Sequence, residues 1–251
     1  MKILGLHINA GQSAAALLEN GEVRYAATEE RFDRIKRSRA FPREAIKFCL
    51  KEAGVEHIEK LDGIAVSWNP AENMRHINLS GFTEWRRYDP EWLYIVPNQI
   101  MAMAGQAAFS GDMLKLEFGI GSKCPMYFVA HHHAHLAHAA WQSSFKKGMA
   151  VAVDEYGEFN SATVAIFKGN KIQIVKEIPY PNSLGVFYAT FTEYLGFQPN
   201  ADEWKVMGAA AYGQPARFFD KLSSLISWDA RQGEWTLDTR YIEHSNMKRA
   251  G

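Results

Sequence analysis

Residues 2–28 read KILGLHINAGQSAAALLENGEVRYAAT, and this stretch decides the fold class. Ile3, Leu4, Leu6 and Ile8 form a short apolar run, which predicts a buried strand over Lys2–Asn9. Ala10-Gly11-Gln12-Ser13 is a tight turn of small residues, and Ala14–Leu18 predicts a second strand. Asn20-Gly21 is a hairpin turn, because both residues tolerate positive φ. Glu22–Thr28 predicts the third strand. The chain therefore opens on a three-stranded meander around a glycine-containing loop.

Downstream, Pro42 opens a helix whose apolar positions are Ile46, Phe48, Leu50 and Ala53, with Gly54 as its stop. Leu61–Ser67 reads as a buried strand. Residues 68–97 carry Trp68, Trp85, Trp92 and Arg86-Arg87 without a period and predict an irregular excursion with short helices. Gln99–Leu116 has helical composition, Met126–Ala130 is a short strand, and His135–Ser143 is helical. Gly148–Asp154 reads as a buried strand, and Ser161–Lys168 pairs with Lys171–Ile178 around Gly169-Asn170. Ser183–Leu195 and Asp202–Ala211 are helical, and the pattern weakens after Pro215. The strand–turn–strand pattern occurs near 1–28 and again near 149–178. Two such lobes are expected of a duplicated α/β nucleotide-binding fold. The first lobe is 1–146 and the second begins at 147 and runs to 251, with Lys146-Lys147-Gly148 as the joint.

The composition sets the class of partner. Lys+Arg is 28 and Asp+Glu is 28, so the formal net charge is zero, and neither nucleic acid nor an anionic membrane is favoured by the whole surface. With 251 residues and 47% hydrophobic content, the chain can bury a substantial core. Cys49 and Cys124 are the only cysteines, which excludes a disulfide scaffold and a cysteine zinc cluster and fits a reducing cytoplasm. His7, Asn9 and Gln12 interrupt the apolar N-terminal run, which argues against a signal peptide. No apolar stretch reaches the ~20 residues that span a bilayer.

Residues 131–138 read HHHAHLAH, with five histidines in eight positions. At 100° per residue His131, His135 and His138 fall at about 0°, 40° and −20°, on one face of a helix. The i, i+4 spacing lets the imidazoles of His131 and His135 converge on one metal. The segment follows a strand, where α/β folds place ligands. Asp154 ends the apolar strand Met149-Ala150-Val151-Ala152-Val153 and is the candidate third ligand. The alternative is that the histidines cap a helix and satisfy core hydrogen bonds; five in eight positions favour metal or catalytic use.

Two further charged stretches stand out. TEERFDRIKR, residues 28–37, is either a solvated loop or an anion site. In the second reading Arg34 and Lys36 reach an anionic substrate, with Glu29 and Glu30 holding them. Asp202-Glu203-Trp204-Lys205 opens a helix, where Lys205 is a phosphate contact or a surface lysine. P-loop, GxSxG and GxGxxG signatures are absent.

In order, four motifs (GLHINAGQSAAALLENGEV, ATEERFDRIKRSRAFP, HHHAHLAHAAWQSSF and SLGVFYATFTEYLGFQPNADEWKVMGAAAYG) resemble the N-terminal part of the NodU/CmcH-type O-carbamoyltransferases. These are relatives of the Kae1/TsaD threonylcarbamoyl-transfer proteins. The resemblance covers most of residues 1–215 and implies an actin/Hsp70/sugar-kinase-type (ASKHA) core. VDEYGE resembles the family's Asp-Gly-x-Gly-Glu turn, with Glu155 where glycine is usual.

The resemblance implies that His131, His135 and Asp154 hold a divalent metal, iron above others. It implies ATP and carbamoyl adenylate as bound nucleotides, with Ser13, Gly157 and Lys205 on the nucleotide side. The implied reaction is transfer of a carbamoyl group from carbamoyl phosphate, by way of carbamoyl adenylate, to a hydroxyl of a small-molecule acceptor. Arg34 and Lys36 would offset phosphate charge there.

Two departures set expectations. The family's first-turn histidine, suited to deprotonating an acceptor hydroxyl, has no counterpart in Asn9-Ala10-Gly11-Gln12-Ser13; His7 lies in the strand before it. Family members are also much longer. The rest of the second lobe, with a further ligating aspartate, and a YrdC-like domain are expected on a missing C-terminal half or a partner chain. A non-catalytic nucleotide- and metal-binding subunit is the alternative reading. A tRNA-modifying protein is disfavoured by the missing His-x-x-Gly-His run, and a sugar kinase does not call for the histidines.

Overall fold

The structure is a computed structural model that describes residues 1–8, 12–69, 124–238 and 240. The expected excursion beyond Asn69 and the helix over 99–116 lie outside the described residues. The chain forms two compact units, Met1–Ala134 and His135–Gly251.

The first unit is built on a five-stranded mixed sheet of order β3-β2-β1-β4-β5. β1 is Lys2–His7, β2 Ala14–Glu19, β3 Glu22–Thr28, β4 Gly63–Val66 and β5 Met126–Phe128. The opening meander is present as the sequence predicts. β1 pairs antiparallel with β2 from Lys2↔Glu19 to His7↔Ala14, and β2 pairs antiparallel with β3. The turn between β2 and β3 has φ of 53° at Asn20 and 87° at Gly21, the left-handed pair a two-residue hairpin requires. β4 joins β1 in parallel, Ile3↔Gly63 to Leu6↔Val66, and β5 joins β4 in parallel. A parallel pair needs a crossover, and two helices supply it: α1 (Glu30–Asp33) and α2 (Arg43–Glu52). α2 packs on β2 and β3. Its Ala45, Ile46, Cys49 and Leu50 meet Leu4, Leu6, Leu17, Ile64 and Val66 in one core.

The second unit repeats the meander as an antiparallel sheet of order β6-β7-β8. β6 is Lys147–Val153, β7 Asn160–Lys168 and β8 Lys171–Pro179. Helix α3, His131–Trp141, precedes it and contains the division between the units. Leu136 and Ala140 of α3 pack with Ala150, Ala152, Ala165 and Phe167 of the sheet. The sequence reading expected β6 to be buried, but its two faces are not both covered: from Met149 onward it alternates, its alanines buried and Met149, Val151 and Val153 69%, 49% and 51% exposed. Among the described residues β6 pairs with β7 alone, whereas its counterpart β1 carries β4 on the other edge. Helices α4 (Leu184–Tyr194), α5 (Glu203–Ala209) and α6 (Phe219–Ser223) follow.

Two elements differ from the sequence reading. α3 begins one turn earlier than His135, and its first turn is closed by Ala134 N–H donating to the Ala130 carbonyl, 3.0 Å. Histidine is a weak helix former, so the run His131–His133 carries little helical signal on its own. Past Pro215 a hairpin of β9 (Ile226–Asp229) and β10 (Glu234–Leu237) is present. Its strands are four residues each, too short for a period to show. The turn is set by Asp229 Oδ1, which accepts from Arg231 and Gln232 N–H at 2.8 and 3.1 Å, and by Gly233 at φ 64°. No helix among the described residues is long and apolar enough to cross a membrane.

Core position and exposure fix two expected outcomes. Ile46 is fully buried and Ile35 is 62% exposed. Urea denaturation should show Ile46→Ala losing about 2–5 kcal/mol, and Ile35→Ala within about 0.5 kcal/mol of the parent. Burial also pushes the Cys49 thiol up to about 11 from 9.0. The folded state therefore holds that proton more tightly. The stabilisation is complete below pH 9 and is lost as pH rises toward 11. Cys49→Val should flatten that part of the stability–pH curve.

Candidate functional site

β1, β4 and β5 run parallel, so their carboxyl ends lie along one edge of the first sheet. His7 ends β1, Ser67 follows β4, and His131 follows β5 after two linking residues. His7 Nδ1 lies 2.8 Å from Ser67 Oγ. The His131 ring lies 6.0 Å from that of His7, 5.5 Å from Trp68 and 5.9 Å from His132. This edge is where an open parallel sheet binds ligands.

One helical turn after His131, His135 projects from α3 toward the end of β6. Its Nε2 is 3.3 Å from Asp154 Oδ2. His131, His135 and Asp154 each offer one ligand atom, and the three atoms lie within 4.8 Å of one another. Two imidazole nitrogens and a carboxylate oxygen at that spacing suit a divalent first-row metal, iron and zinc among them. The residues present therefore fit such an ion, with His131 and His135 half-buried to exposed and Asp154 half-buried. His138, on the same helical face by spacing, is exposed, while His132 is buried.

Asp154 is set by backbone geometry at the strand end. Its N–H donates to the Ser161 carbonyl at 3.0 Å. Its Oδ1 accepts from the Glu155 N–H at 2.7 Å, which leaves Oδ2 to face His135. The turn closes with Gly157 N–H donating to the Asn160 carbonyl at 2.7 Å. Gly157 is thus a buried member of the same turn.

In the first unit Arg34 and Lys36 are exposed on a loop after α1. Neither forms an ion pair with a described residue. Glu29 and Glu30 do not hold these two cations, as the sequence reading expected. The Glu29 carboxylate is buried and accepts from Glu44 and Ala45 N–H at 3.1 and 2.9 Å, capping α2 from outside the helix. Two free amides at a helix start attract that carboxylate more strongly than a solvated cation does. Glu30 Oε2 accepts from Arg37 N–H at 2.8 Å. Asp33 does the remaining bracing: Oδ1 accepts from Ile35 N–H at 2.8 Å and Oδ2 from the Ser38 hydroxyl. Arg34 and Arg37 adopt left-handed backbone, φ 62° and 58°. The loop is tied to Ser13, whose N–H donates to the Ser38 carbonyl at 2.8 Å. Ser13 Oγ is buried with no hydrogen-bond partner among the described residues, an unmet group beside a cationic loop.

Lys205, in the first turn of α5, makes an ion pair with Asp202 at 2.8 Å and lies over the Trp204 ring at 5.6 Å. The grouping of His131, His135 and Asp154 was read from the sequence, and the structure brings the three together. Glu29's cap and the His7–Ser67 contact were not read from it; the only signal for the cap was an acidic residue preceding a proline-headed helix, which fixes no partner.

The chain matches the family described as Carbamoyltransferase N-terminus over residues 2–250. It belongs to that family. An uncharacterized protein of Synechocystis sp. is 30% identical over 249 residues, covering 97% of this chain and 40% of the relative. Nodulation protein NolNO of Sinorhizobium fredii is 32% identical over 204 residues, covering 81% and 28%. The chain thus spans less than half the length of these relatives. Among solved structures, a ROK hexokinase from Thermus thermophilus is similar at TM-score 0.40 and 13% identity, covering 88% of this chain and 72% of that one. YeaZ from Pseudomonas aeruginosa is similar at TM-score 0.35 and 17% identity, covering 72% and 68%.

The Glu29 cap gives a direct test of the loop's support. Glu29→Ala should cost about 1–2 kcal/mol in urea denaturation, and Glu29→Gln less, because the amide keeps one acceptor oxygen.

Proposed function

We propose that this chain is the N-terminal, actin-like portion of a metal-assisted O-carbamoyltransferase. It takes a carbamoyl group that originates in carbamoyl phosphate and has been activated with ATP as carbamoyl adenylate. It delivers that group to a hydroxyl of a small-molecule acceptor. The observation that carries the reading is the convergence of His131, His135 and Asp154 within 4.8 Å in a member of this family.

In the transfer step the acceptor oxygen attacks the carbamoyl carbon. The bond from that carbon to the adenylate oxygen breaks, AMP leaves with the electron pair, and the hydroxyl proton passes to a base. His131, His135 and Asp154 would hold a divalent ion, iron in the first instance, whose contribution is Lewis-acid polarisation of a bound oxygen. Arg34 and Lys36 would balance phosphate charge, a role supported by their exposure and by their forming no ion pair among the described residues. The unmet Ser13 hydroxyl would donate to a nucleotide oxygen. Gly157 would let the nucleotide approach the turn after β6. Lys205 serves the phosphates only on exchanging its Asp202 partner. In the sequence Gly11 and Gln12 stand where a histidine base is usual in the family, and His7, beside Ser67 at the end of β1, would be one imidazole that could take that proton. Both cysteines are free thiols, in keeping with a reducing cytoplasm.

A specific observation favours a second component to the reading, dependence on another polypeptide segment. The edge of β6 is open among the described residues, and Met149, Val151 and Val153 expose one apolar face. A further strand and covering layer would bury it. In this form the chain is a nucleotide- and metal-binding subunit until that segment is supplied.

Two measurements check the reading. Elemental analysis should find a stoichiometric divalent metal in the parent protein and none in His135→Ala or Asp154→Asn, with all three folded by circular dichroism. Carbamoyl transfer should be assayed with carbamoyl phosphate, ATP and a panel of hydroxyl acceptors, with and without the C-terminal polypeptide of a relative. Activity is expected only with that polypeptide, and roughly 100-fold or more lower in His135→Ala. Val151→Glu, on the exposed face, should keep the fold but lose the response to the added polypeptide. Full activity of the triad variants, or of the chain alone, would overturn the respective parts.

A further inference from the structure

Asp154 is useful only if its carboxylate faces His135, and the segment that opens α4 governs this. Ser183 is the N-cap of α4 and is fully buried. Its Oγ accepts from Val186 N–H at 3.0 Å. Its single hydroxyl proton points back to the strand end, toward the Glu155 carbonyl at 2.5 Å with the Asp154 carbonyl at 3.2 Å. One side chain thus caps the helix and grips the backbone of both residues that follow β6.

Gly185, two residues on, closes the same contact from another side. A Cβ there would lie 2.6 Å from Glu155 N and 2.7 Å from both the carbonyl carbon and oxygen of Asp154. These are backbone atoms and cannot rotate aside, so any side chain displaces the Asp154–Glu155 turn or the helix. The Glu155 amide that meets this Cβ is also the donor that holds Asp154 Oδ1. Ser161 extends the network: its hydroxyl donates to the Asn182 carbonyl at 2.8 Å, with the Ile178 carbonyl at 3.1 Å.

We infer that Ser183 and Gly185 are positioning residues, which aim the Asp154 carboxylate at the histidine pair by fixing its backbone. This rests on the metal reading of His131, His135 and Asp154. Outer residues that orient a ligand commonly carry 10- to 100-fold of metal affinity, roughly, although they touch no metal. The Ser183–Gly185 pair acts one step further out, through the peptide of the ligand itself.

The test uses Co2+ as the probe, with its visible absorption band reporting coordination geometry. Gly185→Ala should weaken Co2+ binding by roughly 10- to 100-fold and alter the band, and Ser183→Ala should weaken it about tenfold. The control is Thr192→Ala, which removes a buried hydroxyl of α4 that donates to the Tyr188 carbonyl at 3.0 Å, away from Asp154. It should lower stability while leaving affinity and band unchanged. An equal loss of affinity in Thr192→Ala would make the effect one of general stability and overturn the inference. Failure of the parent protein to bind Co2+ would instead defeat the metal reading. Metal-free crystal structures then decide the positioning by themselves. The Asp154 Oδ2 to His135 Nε2 separation, 3.3 Å in the parent, should lengthen in Gly185→Ala, and an unchanged separation would overturn the inference.

Discussion

The Asp154 carboxylate faces His135 because the backbone at the end of β6 is fixed on several sides. The amide donates to Ser161, the Glu155 N–H holds Oδ1, and the Ser183 hydroxyl grips the carbonyls. The histidines are fixed independently, by helix α3. Leu136 and Ala140 anchor that helix to the sheet next to Ala150, Ala152 and Ala165, whose small side chains leave room for Leu136 and Phe167. A carboxylate on a strand and imidazoles on a helix thereby meet without either side chain having to search for the other. Pre-fixed ligands lose little rotamer freedom when they converge on a common atom.

The duplicated meander gives the two units different amounts of finished sheet. In the first, β1 is sandwiched between β2 and β4, and its Leu4 and Leu6 are buried. In the second, β6 stands at an edge among the described residues, and its outward valines and Met149 are exposed. The same arrangement of three strands is thus completed in one case and open in the other. The two relatives described above are more than twice as long as this chain.

Much of this was legible in the sequence, for identifiable reasons. The meander was readable because Asn20-Gly21 and Gly169-Asn170 leave few alternatives to a hairpin turn. The triad was readable because helical spacing puts His131 and His135 on one face and a strand end exposes Asp154. The composition alone started α3 at His135, since histidine is a weak helix former, whereas the spacing of the histidines already required a helix from His131. The role of Glu29 was not readable, since a carboxylate sixteen residues from the amide it caps leaves no local pattern. Ser183 was legible as the start of a helix, but its grip on Glu155, 28 residues earlier, depends on tertiary structure. The same is true of Gly185, whose lack of a side chain matters only because another backbone passes beside it.

The central claim is that one divalent ion sits on His131, His135 and Asp154. Anomalous diffraction from crystals grown with Fe2+, recorded above and below the iron absorption edge, tests it most directly. The account predicts a single strong peak about 2.0–2.2 Å from a nitrogen of each histidine and from an oxygen of Asp154. A peak held by other residues, or no peak at this triad with the crystal soaked to saturation, would contradict it.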